Sequence, residues 1–127
     1  MEPDWEQAAT HGDVESARRL LQSGADVDSR DRYGQTALMQ AAHHGHEALV
    51  ELLIENGADL NVTAKYGLSA LMLAVVAGHA EIARRLARAG ADRTIRGSGA
   101  PGFAGKTAYD LAVARDMKAL CEELHPG

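Results

Sequence analysis

Leu52-Leu53-Ile54-Glu55-Asn56-Gly57-Ala58-Asp59-Leu60-Asn61 is an apolar helical stripe that breaks at a glycine and runs into a short polar loop. Its Gly-Ala-Asp triplet recurs as Gly24-Ala25-Asp26 and Gly90-Ala91-Asp92, each copy 33 residues from the next. A second ladder, Gly12, Gly45 and Gly78, runs in step with it at the same interval of 33. A fixed period of this length marks a stack of supersecondary units, each too thin to bury a core by itself.

The unit reads outward from that stretch in both directions. Upstream, Gly34-Gln35-Thr36 opens it, and the Thr36 hydroxyl can accept from the free amides of a helix start. The spacing predicts a first helix over Ala37 to His44, rich in small residues (Ala37, Ala41, Ala42) that let backbones approach closely. Gly45 stops it, since a residue without a Cβ takes the left-handed conformation at little cost. A second helix follows over Glu47 to Glu55, with Ala48, Leu49, Leu52 and Leu53 as its apolar stripe. Downstream of Asn56-Gly57, residues Ala58 to Tyr66 form an extended turn to the next unit.

The third unit repeats the pattern through Gly67-Leu68-Ser69-Ala70-Leu71, the break at Gly78 and a stripe of Ile82, Ala83 and Leu86. In the first, Trp5 takes the place of Leu38 and Leu71; in the fourth, Lys106-Thr107-Ala108-Tyr109 begins a helix and Leu120, Cys121 and Leu124 fill the last stripe. The units run over residues 1–32, 33–65, 66–103 and 104–127, and the terminal ones serve as caps that each turn one face to water.

Gly34-Gln35-Thr36-Ala37-Leu38-Met39-Gln40-Ala41-Ala42, then Gly45-His46, then Leu52 through Asn61 resembles the ankyrin repeat, over nearly the whole chain. The resemblance implies an all-α solenoid of helix-turn-helix pairs joined by β-hairpin-like loops. The family's Thr-Pro-Leu-His is altered here to Thr36-Ala37-Leu38-Met39, Ser69-Ala70-Leu71-Met72 and Thr107-Ala108-Tyr109-Asp110, so the proline and histidine are absent throughout. Ala64 stands where Asp31 marks the previous hairpin tip, and Asp116 replaces the mid-repeat glycine. Met39 and Met72 read as packing between units.

Spacing from Gly34 to Gly67 is 33, but from Gly67 to Gly105 it is 38, so five extra residues lie in the loop 95–104. Its glycines and Pro101 predict a flexible finger, with Phe103 either an anchor for a partner or folded onto the last helix pair. Ala100-Pro101-Gly102-Phe103-Ala104-Gly105-Lys106-Thr107 also satisfies a relaxed phosphate-loop pattern, a nucleotide-binding alternative resting on Gly105-Lys106-Thr107. Such a loop needs a buried strand before it and an acidic strand after it, and neither can be read here.

The net charge of −5 and 4% aromatic content exclude general nucleic-acid affinity and imply a core of small aliphatic residues. No stretch is long and apolar enough to span a bilayer. The acidic opening Met1-Glu2-Pro3-Asp4 without an apolar run, and the single Cys121, lead to the expectation of a cytoplasmic protein, or a nuclear one in a eukaryotic host. His43, His44 and His46 cluster, but Gly45 breaks the helix between them, so they read as structural or exposed and no metal is expected. No serine or cysteine has a catalytic setting, so neither an enzyme nor a cofactor is expected.

In ankyrin arrays the hairpin tips and outward faces of the first helices line a concave groove that binds another protein. The resemblance therefore assigns contact to Arg30, Arg32, Tyr33, Gln35, His43 and His44 of the second unit, Lys65, Tyr66 and Leu68 of the third, and Arg96, Phe103 and Arg115 beyond. The set is basic and aromatic, while Glu15, Glu47, Glu51, Glu55, Glu81, Glu122 and Glu123 fall elsewhere, which points to an acidic partner segment with some apolar residues. A monomeric binding module is expected. The four-unit length is also similar to the cyclin-dependent kinase inhibitors, although the first helix of the second unit lacks the shortening that marks them.

Overall fold

The computed structural model describes residues 1–125, which form eight α-helices and no strand beyond a single bridge between Gly97 and Ala104. In chain order they are α1 (Pro3–His11), α2 (Val14–Gln22), α3 (Ala37–His44), α4 (Glu47–Glu55), α5 (Ala70–Val76), α6 (Ala80–Arg88), α7 (Ala108–Ala114) and α8 (Lys118–Leu124). The helices pair as α1–α2, α3–α4, α5–α6 and α7–α8. The odd-numbered helices pack in one row and the even-numbered ones in a second, giving the expected helical solenoid.

Local chemistry starts and stops each pair. Thr36, Ser69 and Thr107, all buried, cap α3, α5 and α7, their hydroxyls accepting from the amides of Met39 at 3.3 Å, Met72 at 3.4 Å and Asp110 at 3.3 Å. At α7 the Asp110 carboxylate reaches back to the Thr107 amide at 3.0 Å, completing a capping box. α3 ends at Gly45 with φ 82°, and α7 is followed by Asp116 at φ 57°, a conformation Asp tolerates better than most residues.

Between the rows lies a core of Ala, Leu, Val and Ile with Trp5, Met39 and Met72 fully buried, so the methionines serve packing between units. The loops stitch neighbouring units together. The Asp28 carboxylate accepts from the Asp59 amide at 2.8 Å, and one unit later the Asn61 side chain accepts from the Asp92 amide at 2.8 Å. No helix among the described residues is long and apolar enough to cross a membrane.

Candidate functional site

The loops between the helix pairs close as tight turns. In the second unit the Asp31 amide donates to the Gln35 carbonyl at 2.9 Å. The Asp31 carboxylate accepts from the Tyr33 amide at 2.8 Å, the Gln35 amide at 2.9 Å and the Gln40 side chain at 2.8 Å. So braced, the turn throws Arg30, Arg32 and Tyr33 outward, with Tyr33 69% exposed and the Arg32 guanidinium 5.6 Å from its ring centre. In the third unit the Ala64 amide donates to the Leu68 carbonyl at 3.3 Å, Tyr66 takes φ 62°, and the Lys65 ammonium stands 5.0 Å from the Tyr66 ring centre. A cation beside an aromatic ring thus recurs at the same place in two successive units.

The equivalent bond in the fourth unit runs from the Gly97 amide to the Lys106 carbonyl at 2.8 Å, which locates the extra residues inside the tip itself. The enlarged turn is held by its own backbone, through Gly105 to Gly97 at 2.9 Å and Ala104 to Ala100 at 2.9 Å, and by the Arg96 guanidinium on the Gly105 carbonyl at 2.7 Å. It also leans on the preceding tip. The Ser98 amide donates to the Tyr66 carbonyl at 2.7 Å, and the Phe103 and Tyr66 rings lie 5.4 Å apart. Phe103 therefore packs on the third unit's tyrosine and is half-buried against the edge of the core.

The structure corrects part of the expected contact set. Leu68 is 5% exposed and belongs to the core, so its side chain offers no surface. It stands just before the Ser69 cap with buried Leu73 at the fourth helical position, the spacing of a hydrophobic staple. Gln35 is half-buried at the equivalent place. His43, His44 and Arg115 lie at the far ends of α3 and α7, about 12 Å along the helix from the tips at 1.5 Å per residue. They form a second patch. There His44 donates from Nδ1 to the Gln40 carbonyl at 2.8 Å and stacks its ring 5.9 Å from that of His46. The rings of His46 and His79 engage the preceding unit, at the carbonyls of Thr10 (2.8 Å) and His43 (3.1 Å). Among the described residues no three His, Cys, Asp or Glu side chains converge as a metal site would need.

Gln40 is the residue the sequence reading missed. It is buried, and its amide joins Asp31 to Thr10, whose hydroxyl lies 2.7 Å from Gln40 Oε1. The available signal was a polar residue between Met39 and Ala41 in the apolar run from Ala37 to Ala42, where the next unit carries Leu73.

A phosphate would find few donors at the Gly105-Lys106-Thr107 segment. The Gly105 and Lys106 amides already donate to the carbonyls of Gly97 and Phe103, at 2.9 Å and 3.0 Å. The Asp110 carboxylate takes both the amide and the hydroxyl of Thr107, at 3.0 Å and 3.1 Å, and sets negative charge where the phosphate would sit. The Thr107 amide in turn holds the Asp110 carboxyl below its usual range against the opposing effect of burial.

Charge is arranged differently on the two rows. On the outer helices, Arg85 bonds Glu47 and Glu51 of α4, Arg84 bonds Glu81 and Glu123, Arg88 bonds Glu123, and Arg18 bonds Glu15. The acidic face inferred from sequence is thus laced with arginines. Arg30, Arg32, Lys65, Arg96, Lys106 and Arg115 enter no ion pair among the described residues.

A family model described as ankyrin repeats (3 copies) matches residues 5–97. A search of curated proteins finds no matching relative. The match ends at Gly97, where the enlarged turn begins, and α7 and α8 continue the same stack beyond it. Ankyrin repeats are in general protein–protein interaction modules. Three matched copies, alternating rows of short helices and turns that recur every 33 residues make this chain a member of the ankyrin repeat family.

Proposed function

We propose that the chain binds a partner protein through its hairpin tips, and that the bound segment is acidic with apolar residues interspersed. Arg30, Arg32, Tyr33, Lys65, Tyr66, Arg96 and Phe103 make the principal surface, flanked by Gln35, and His43, His44 and Arg115 make a second contact at the far end of the inner helices. The observation that carries this reading is the contrast in pairing. Four outer-row arginines are matched with glutamates of the same chain, whereas Arg30, Arg32 and Lys65 enter no ion pair among the described residues, and Arg32 and Lys65 stand beside exposed rings. Arginine beside tyrosine suits a carboxylate flanked by an apolar group, since the guanidinium pairs with the acid while the ring supplies area.

The test is capture of the natural partner by a chain with Arg32, Tyr33, Lys65 and Tyr66 changed to Ala. Arg32, Tyr33 and Lys65 are exposed and Tyr66 packs on the enlarged turn's Phe103, so helicity should stay close to that of the parent, with melting lowered slightly, while capture is lost. Undiminished capture by the quadruple variant would remove the tips from the binding surface. Inhibition of a protein kinase gains no support from the geometry, because α3, at 8 residues, is no shorter than α5 and α7 at 7.

A further inference from the structure

The third and fourth tips are joined in a way the second is not. In the second and third units the paired residues of the turn stand four apart, Asp31 with Gln35 and Ala64 with Leu68. In the fourth, Gly97 and Lys106 stand nine apart, and the five extra residues settle back onto the preceding unit. Two glycines allow this by the space they leave. A Cβ on Gly99 would come within 3.1 Å of the Tyr66 ring, and one on Gly97 within 2.4 Å of the Phe103 carbonyl oxygen.

The residue so gripped is strained. Tyr66 holds φ 62° and ψ 17°, a left-handed conformation that the equivalent Tyr33 does not share. A residue with a Cβ stays there only where its surroundings over-determine it, and such strain gathers at binding sites. Here the Ser98 amide fixes the Tyr66 carbonyl at 2.7 Å and the Phe103 ring lies 5.4 Å from the tyrosine ring, tilted by 37°. Tyr33 is 69% exposed; Tyr66, at 37%, is clamped with Phe103 into a two-ring shelf. The exposed Lys65 ammonium stands 5.0 Å from the Tyr66 ring centre and enters no ion pair among the described residues.

We propose that the enlarged turn is a specificity device: with Tyr66 it forms a subsite for one bulky apolar side chain of the partner segment, beside the carboxylate that Lys65 takes. This rests on the tips being the binding surface and adds where along the segment the apolar residue falls. An ammonium 5.0 Å from one ring, and rings 5.4 Å apart, set the acid and the apolar residue about two positions apart in an extended chain, at about 3.3 Å per residue. Side chains two positions apart also share a face, so both can meet the tips together. Nucleic-acid bases stack on rings beside cations as well, but a net charge of −5 opposes a polyanion.

The test is a titration of the isotope-labelled 127-residue chain, followed by NMR, with the capped peptide Gly-Glu-Glu-Glu-Gly-Leu-Gly and its reverse sequence. In at least one direction the amides of Tyr66, Ser98 and Phe103 should shift, and affinity should exceed that for the same peptide with serine in place of leucine by about fivefold or more. Deleting residues 99–103 restores the four-residue spacing between Gly97 and Lys106 and removes no charge. The deletion variant should bind both peptides about as the parent binds the serine one. Phe103→Ala, which keeps the backbone of the turn, should lose most of the preference for leucine, and circular dichroism melts check that both variants are folded. Equal binding of the two peptides by the parent, or a preference that survives the deletion, would overturn the shelf and leave the tips standing. Binding of neither at millimolar peptide would overturn the tips and the shelf together. Tighter binding of oligouridylate than of the leucine peptide would give the shelf to a base and overturn the proposal.

Discussion

Nε2 of His46 donates to the carbonyl oxygen of Thr10 across 2.8 Å, and the imidazole lies so close over Gly12 that a Cβ there would come within 2.6 Å of the ring. One unit on, His79 repeats the arrangement over Gly45. The glycine is needed for its φ of 70° and also for the space it leaves. Gly12→Ala should cost about 2–3 kcal/mol, combining left-handed strain with displacement of the imidazole. Gly57→Ala, at φ 77° with nothing within 4 Å of a new Cβ, should cost only about 1 kcal/mol. In a His46→Ala background the gap between the two substitutions should close, which urea unfolding of the four single and double variants would measure.

The third interface lacks this bridge, because Met117 stands in the place of His46 and His79. Its backbone, at φ −91° and ψ 63°, is close to the −93° and 79° of His79, so an imidazole could be held the same way. Arg115 currently reaches over Gly78. With Arg115→Ala clearing that space, Met117→His should gain about 1 kcal/mol over Arg115→Ala alone, by donating to the Val76 carbonyl. Equal or lower stability of the double variant would show that the His bridges are incidental to stacking.

These interfaces show which parts of the molecule could be read from the chain. The bounds of α3 and α4 follow from signals within a few residues, namely the Thr36 cap, the Gly45 break and the Asn56-Gly57 end, and the structure returns the same limits. The enlarged turn was legible as a change of spacing, but its exact placement depends on the pairing of Gly97 with Lys106 across the tip. The resemblance places Leu68 among the contact positions, and only its relation to Leu73 identifies it as a staple. The arginine lacing was invisible for the same reason: Arg84 and Glu123 meet across two units, 39 residues apart.

Asp31, Gln35 and Gln40 of the second unit are replaced together by Ala64, Leu68 and Leu73 in the third. One unit braces its tip with a carboxylate and a buried amide, the other with a staple. Asp31→Ala alone would strand three donors, the buried Gln40 side chain among them, and should cost about 2–3 kcal/mol. The triple variant Asp31→Ala/Gln35→Leu/Gln40→Leu should recover part of that loss, since the buried amide of Gln40 is then gone with its acceptor, while the backbone amides of residues 33 and 35 still lack the carboxylate. If the triple variant is less stable than the single one, the two units are not interchangeable solutions to the same turn.

Glu123 ties the last unit to the third, taking Arg84 at 2.7 Å and Arg88 at 2.7 Å. Partial burial pushes its carboxyl up, but the hydrogen bonds from Arg88 and Arg84 outweigh this and hold it below the usual carboxylate range. A group depressed in the folded state protonates more readily in the unfolded chain. Its contribution is therefore complete above the unfolded value near pH 4 and is lost as the pH falls through the folded value. Glu123→Gln should consequently melt below the parent at neutral pH, and the difference should shrink steadily as the pH is lowered below about 4. Asp13, Asp92 and Asp110, all depressed by bonds from Ser16, Thr94 and Thr107, will pull both proteins down together in acid, so the diagnostic quantity is the difference and not either curve. The pair is reachable by solvent, so added salt should narrow the gap at neutral pH as well. A difference that is constant from neutral pH to strong acid would mean that Glu123 acts through packing and not through its charge.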